Sequence, residues 1–284
     1  EETTTFTYPL SDNRYADSCG PWGRPDLRVG RIIGNTADEL LIPIMTSINV
    51  HRGILTFDRS HALVVTGGGD QYLEDCGNWL RNVLRESQGL GPENIAMVYT
   101  GQIAGDTSCE KMQAIGTEVK NGAVDKDIIA WIGHGGPGSW AWCLDAFESG
   151  ECPYPTAMYV EHYPVLGFGT AAPVVFAASC LTGNYEEAGD EGIAEAFLRS
   201  GAAAYIGAVV TVNGSMANPF QQQFFSEWTP SRSIGEALTL AKRHMVDTDD
   251  CKGTWLWGNE AYVWNLYGDP KYGEQTAAST ISSP

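Results

Sequence analysis

Asp127-Ile128-Ile129-Ala130-Trp131-Ile132-Gly133-His134-Gly135-Gly136 is the stretch on which the fold turns. Its unbroken apolar run, opened by an acid and closed by glycines, is too short for a helix and lacks the alternation of a half-solvated strand. It reads as a strand buried on both faces, the kind found inside a parallel sheet. Working outward, the pattern repeats. His61 to Thr66 is a second such strand, ending in Gly67-Gly68-Gly69. After it, Tyr72 to Gln88 spaces Leu73, Trp79, Leu80, Val83 and Leu84 along an apolar helical stripe. Asn94 to Thr100 reads as a strand and Ser108 to Lys120 as a weaker helix. Pro173 to Ser179 is another buried strand, followed by a helix over Asp190 to Arg199 and a small-residue strand over Ala202 to Val210. Helices over Pro219 to Trp228 and Ser233 to Val246 and a last apolar segment, Tyr262 to Leu266, complete the set. Strands alternating with helices imply an α/β fold with a mostly parallel, doubly wound sheet.

Two regions stand outside that rhythm. Gly135 to Ala172 is a long loop rich in Gly, Pro and aromatics, with room for short structure of its own. Residues 1–60 are loop-like over Ser11 to Arg28, with a candidate strand at Val29 to Ile33 and a candidate helix at Asp38 to Ile48. That piece has too little core to stand alone and is expected to dock on a larger unit or to complete a missing one. The expected division is 1–60 as this incomplete piece, 61–275 as the main domain and 276–284 as a tail.

Composition removes several function classes. The chain has 284 residues, 17 basic and 35 acidic, for a net charge of −18. A pI near 4.5 and the lack of a basic stripe speak against nucleic acid as a partner. With 43% hydrophobic residues the chain is not disordered, and no apolar run reaches the length of a membrane span. The start, Glu1-Glu2-Thr3-Thr4-Thr5, is not a signal peptide. The seven cysteines are Cys19, Cys76, Cys109, Cys143, Cys152, Cys180 and Cys251. Six lie in polar or turn-like contexts, whereas Cys180 ends an apolar run, so three disulfides plus one free thiol are expected, in a secreted protein. Neither a C-x-x-C pair nor a His beside a Cys at ligand spacing points to a metal.

Two strands end in reactive groups. His134 follows the strand at 128–132, and Cys180 follows the strand at 174–179. Sites in open α/β sheets form outside the carboxyl ends of strands. A thiol and an imidazole placed there are what a cysteine hydrolase needs: the thiolate attacks, and the imidazole moves the protons. Glycines beside His134 let a substrate approach the backbone, with the Gly135 and Cys180 amides as candidate oxyanion donors. His51, His61, His162 and His244 lack comparable context.

His134-Gly-Gly-Pro-Gly-Ser-Trp140 resembles the catalytic-histidine motif of gingipain-type cysteine peptidases (family C25, clan CD), and Pro173-Val-Val-Phe-Ala-Ala-Ser-Cys180-Leu-Thr-Gly183 resembles their nucleophile strand. Ala194 to Arg199 is similar to the helix that follows, and Leu266-Tyr267-Gly268-Asp269-Pro270 to the end of their catalytic domain. Val29-Gly30-Arg31 with Thr36 to Leu40 resembles the end of their first subdomain, so the likeness runs over about residues 11 to 272. It implies a caspase-like three-layer α/β/α sandwich and an endopeptidase that works through an acyl-enzyme. Cys180 would be the nucleophile, His134 the general acid/base, and Gly135 and Cys180 the oxyanion hole.

The same resemblance raises three questions of specificity. Arginine-specific members carry a histidine-orienting Glu where this chain has Gly67-Gly68-Gly69-Asp70, which makes Asp70 the candidate substitute. They also carry an acid at the floor of the pocket for the residue before the cut bond. Here Glu74 or Asp75 falls near that place and would favour Arg or Lys, although acids in a first helical turn also serve the macrodipole. Met216 stands where the family has a pocket-walling Trp. Expected partners are a protein or peptide substrate and the chain's own removed N-terminal segment, with neither nucleic acid nor membrane. No cofactor is required; structural calcium fits the family and the acidity, but no EF-hand loop is present. A transpeptidase of the same fold and a catalytically idle binding scaffold are the competing functions.

Overall fold

The computed structural model describes residues 12, 16, 25–55, 57–68, 70–104, 108–141, 156–159, 167–188, 191–247 and 261–274. Gly69, His162, Cys19, Cys143, Cys152, Cys251, the Cys109 side chain and the 276–284 tail lie outside the described residues.

The buried runs form a single six-stranded sheet. Its strands are β1 (Ala62–Thr66), β2 (Ile95–Tyr99), β3 (Ile128–Ile132), β7 (Val174–Ala178), β8 (Ala204–Ala208) and β9 (Trp264–Gly268), in the order β2-β1-β3-β7-β8-β9. All neighbours are parallel except β8 and β9. Within the long glycine-rich loop, β4 (His134–Gly136), β5 (Ser139–Ala141) and β6 (Thr156–Tyr159) make a separate antiparallel sheet.

Among the described residues these helices accompany the strands: α1 (Ala37–His51), α2 (Gln71–Gln88), α3 (Ser108–Gly122), α4 (Ile193–Arg199), α5 (Gly214–Glu227) and α6 (Ile234–Asp247). Alternate strand residues feed opposite sides, as the two-residue period requires. Val64, Ala130, Phe176 and Ile206 pack with Leu80 and Leu84 of α2, Phe220 and Phe224 of α5 and Ala237 of α6. Val65, Trp131, Val175 and Tyr205 pack with Ile115 and Val119 of α3 and Phe197 of α4. These two cores, one on each face of the sheet, make the three-layer α/β/α sandwich.

Four local expectations are corrected. Val29 to Ile33 forms no strand; one parallel bridge, Arg31 to Tyr267, ties it to the edge strand β9, with Arg31 N–H to Leu266 O at 2.9 Å and Gly268 N–H to Arg31 O at 2.7 Å. α5 starts at Gly214, five residues before Pro219: Asn213 caps it, accepting the Ser215 N–H at 3.0 Å. Proline therefore sits inside the helix. Trp79 was placed on the buried stripe of α2 but is 57% exposed. Cys76 was counted among six disulfide cysteines. It is buried and free, accepting a hydrogen bond from Asn218 Nδ2 at 3.3 Å, and burial pushes its thiol pKa up.

No described helix is long and apolar enough to cross a membrane.

Candidate active site

Parallel pairing of β3 with β7 sets the geometry. Ile132 lies opposite Ala178, and the Gly133 N–H reaches Ala178 O at 3.5 Å, extending the ladder past the strand ends. Two residues beyond that pair on each strand come His134 and Cys180, on chains that lie about 5 Å apart. The contact continues one residue further. A Cβ on Gly135 would fall 2.6 Å from Thr182 Cγ2, 2.8 Å from Ser179 Oγ and 3.0 Å from Cys180 O. The bare backbone of the histidine loop thus lies against the cysteine turn.

The histidine is carried by a hairpin. Gly136 pairs with Ser139 across the two-residue turn Pro137-Gly138, and Gly135 with Trp140. Residues closing such a turn exchange hydrogen bonds, so the next pair does not. The Gly135 N–H therefore points away from β5. Trp140 is fully buried, stacked between Trp131 (5.2 Å) and Phe197 (4.8 Å), with its Nε1–H donated to Tyr205 Oη at 3.1 Å. Trp131 Nε1 donates to His134 O at 3.0 Å, and the Ile193 N–H holds Pro137 O at 2.8 Å. Three anchors fix the backbone of the hairpin while the His134 side chain stays exposed.

The cysteine sits on a tight turn. Leu181, the next residue, is in the left-handed region (φ 58°), a conformation costly for a branched side chain. The turn is held to the continuation of β8: Leu181 N–H to Val210 O (3.1 Å) and Gly183 N–H to Ala208 O (2.8 Å). Glycine at 183 and 207 allows this approach, since a Cβ on Gly183 would lie 2.6 Å from Gly207 O. The same segment meets the sulfur. Val212 N–H donates to Cys180 Sγ at 3.4 Å, and the thiol donates to Val212 O at 3.4 Å. Cys180 is half-buried and free. Next to Val212 stands Asn213, the N-cap of α5.

The remaining candidates scatter. Asp70 caps α2, its carboxylate accepting the Tyr72 N–H at 2.8 Å; among the described residues no hydrogen bond joins it to His134. Glu74 turns toward the end of β2, where Gln102 Nε2 donates to it at 2.9 Å. Asp75 is exposed, accepts from Gln71 Nε2 at 2.8 Å and lies one turn from Tyr72, whose hydroxyl is 3.4 Å from Gly214 O at the head of α5. Met216 is buried in α5. Val212, Leu181 and the Trp131–Trp140 pair were missed as site residues. Only the tryptophans left a trace in the sequence, as large rings flanking a run of glycines.

Oxygen-rich calcium sites need six to eight ligands. One cluster of metal-ligating groups among the described residues, Asp58, His61 and Asp127, lies at the opposite, amino end of β1 and β3. It offers an imidazole and two carboxylates, and Asp127 already accepts from the Ser60 and His61 N–H groups (2.9 and 3.1 Å). That donor set does not fit calcium.

A direct consequence of the geometry concerns Gly135. Gly135→Ala should push the histidine loop off the cysteine turn, because the new methyl meets Thr182 and Ser179, and any activity that depends on both loops should fall by about 100-fold. Circular dichroism and steady-state kinetics on the purified variant check this; unchanged kinetics would remove Gly135 from the site.

Comparisons with known proteins agree with the architecture. The model of peptidase family C25 matches residues 2–272. Among solved structures, the chain is similar to the Arg-specific cysteine proteinase gingipain R (RgpB), with TM-score 0.69, 18% identity, and 92% of this chain and 58% of that chain covered. It is likewise similar to the complex of Porphyromonas gingivalis RgpB pro- and mature domains, with TM-score 0.69, 19% identity and coverage of 92% and 60%. A Saccharomyces cerevisiae separase–securin complex matches more distantly, at TM-score 0.53 and 13% identity over 86% of this chain and 14% of that one. No curated protein matches the sequence. The chain spans about three fifths of the length of the gingipain structures. A caspase-like sandwich and a family match over nearly the whole length lead to one conclusion: the chain belongs to peptidase family C25, the gingipain-like cysteine peptidases.

Proposed function

We propose that the chain is a secreted endopeptidase in which Cys180 and His134 act as a dyad. Cys180 Sγ, its proton passed to His134, attacks the substrate carbonyl carbon, and the carbonyl oxygen takes up negative charge facing the Cys180 and Gly135 N–H groups. His134 then protonates the departing amine, leaving a thioester. Water, deprotonated by His134, attacks the thioester and releases the acid and the free thiol. Atoms balance without a cofactor. The observation that carries this reading is the packing of Gly135 against the Ser179–Thr182 turn at the shared end of β3 and β7.

We assign the preference for the residue before the cut bond to Arg or Lys, through Asp75. Of the two acids, Glu74 faces β2, whereas Asp75 shares the α5 side of α2 with Tyr72. A peptide acyloxymethyl ketone with Arg at its reactive end should label Cys180, as read by peptide mass mapping. Asp75→Asn should lower kcat/KM for Arg and Lys substrates by about 10- to 100-fold, the scale of a lost charge-assisted pair. Cleavage after apolar residues, unaffected by Asp75→Asn, would retire the preference. Labelling at a different cysteine would retire the dyad. Aminolysis products in the presence of an added amine would mark a transpeptidase.

A removed N-terminal segment is the partner we expect besides substrate. For the location outside the cell, Cys19, Cys109, Cys143, Cys152 and Cys251 are the remaining disulfide candidates, an odd set that forms at most two bridges.

A further inference from the structure

Helix α2 has two flanks of different chemistry beside its buried face. Toward β2 lie Glu74, Asn78, Arg81 and Arg85; Glu74 is held by Gln102, and Asn78 Oδ1 accepts from Tyr99 Oη at 2.8 Å. On the other flank, Tyr72, Asp75, Trp79, Asn82 and Glu86 follow the three-and-four spacing of one helical stripe, and all five are exposed. Tyr72 is 46% and Trp79 57% exposed. The stripe holds two aromatic rings and two carboxylates and no basic residue. It starts beside the site, since Tyr72 Oη is 3.4 Å from Gly214 O and Gly214 is two residues from the Val212 that meets Cys180 Sγ.

We propose that the stripe beyond Asp75, from Trp79 to Glu86, is a docking surface for a basic segment of the polypeptide substrate, distant in sequence from the bond that is cut. It deepens the peptidase reading and rests on it for the location of that bond; docking itself needs no turnover. Aromatic faces attract Lys and Arg side chains, and Glu86, two turns from Trp79 on the same stripe, completes the pairing. The fourteen steps of helix from Tyr72 to Glu86 rise about 21 Å, the span of about six residues of extended peptide, so Glu86 lies well away from the end of the stripe at the site. A net charge of −18 favours a cationic partner over an acidic one or a nucleic acid.

The test uses Cys180→Ala protein and fluorescence polarisation with three labelled peptides of equal length: one rich in Lys and Arg, one with those residues changed to Gln, and one acidic. Only the basic peptide should bind, more weakly as salt rises. Trp79→Ala and Glu86→Lys should each weaken it about tenfold, while Arg85→Ala on the opposite flank leaves it unchanged. Thermal melts confirm that these surface variants fold. Equal binding of the Gln peptide, or unchanged affinity in Trp79→Ala, would overturn the proposal. With the intact thiol, Trp79→Ala should raise KM about tenfold for a substrate carrying the basic segment and leave a short peptide amide unaffected. Binding without hydrolysis of either substrate would sink the peptidase reading and leave the docking surface standing.

Discussion

His134→Ala should lower kcat/KM for peptide hydrolysis by on the order of 1,000-fold or more, and Cys180→Ala should do the same. Stability hardly changes, because the His134 side chain is exposed and the fold grips this residue through its carbonyl oxygen, which accepts from Trp131 Nε1. The double variant should be no slower than either single one, since groups that act on one bond fail together. A kinetic split separates this role from a structural one. In His134→Ala, Cys180 should still react with a small alkylating agent, while acylation by a substrate ester is lost. Retention of turnover within tenfold of the wild type would remove His134 from the mechanism.

Trp140→Ala is the largest expected stability effect, about 3 to 5 kcal/mol. The indole has no exposed surface, lies 7° from parallel to Trp131, and stacks on Phe197 on its way to the Tyr205 hydroxyl. Alanine leaves a cavity between two aromatic neighbours and strips the buried Tyr205 hydroxyl of its Trp140 donor, and both effects add. Activity should fall beyond the loss of folded protein, because Trp140 is the cross-strand partner of Gly135 and keeps the hairpin seated against the cysteine turn. Urea denaturation gives the first quantity. Rates measured well below the unfolding transition give the second. Trp140→Phe keeps part of the stack but no N–H and should fall between. A midpoint unchanged in Trp140→Ala would mean that the hairpin is held elsewhere.

Strands were the most legible elements. β1, β3 and β7 are continuous apolar runs ended by glycine or a reactive residue, and burial on both faces leaves such runs few alternatives. Helix edges were harder. Pro219 stood as the expected start, yet Asn213 supplies a cap and the helix runs through the proline. Trp79 shows the limit of hydrophobicity as a signal: the ring sits at the edge of the apolar arc of α2, and sequence periodicity does not say where the neighbouring helix stops. Cys76 shows the same limit for cysteines. Its polar neighbours, Asp75 and Glu74, face away while the thiol turns inward to Asn218.

The order of residues alone settled the alternation of strand and helix and the mostly parallel, doubly wound sheet, and it singled out His134 and Cys180 as the pair we propose to react, because local periodicity and strand-end chemistry are written in near neighbours. What clamps the sulfur and what holds the histidine hairpin both required the folded chain. Those contacts join residues far apart in sequence, Val212 to Cys180, Trp140 to Tyr205, Tyr72 to Gly214. Only the order of strands in the sheet and the packing of α2 on α5 bring them together.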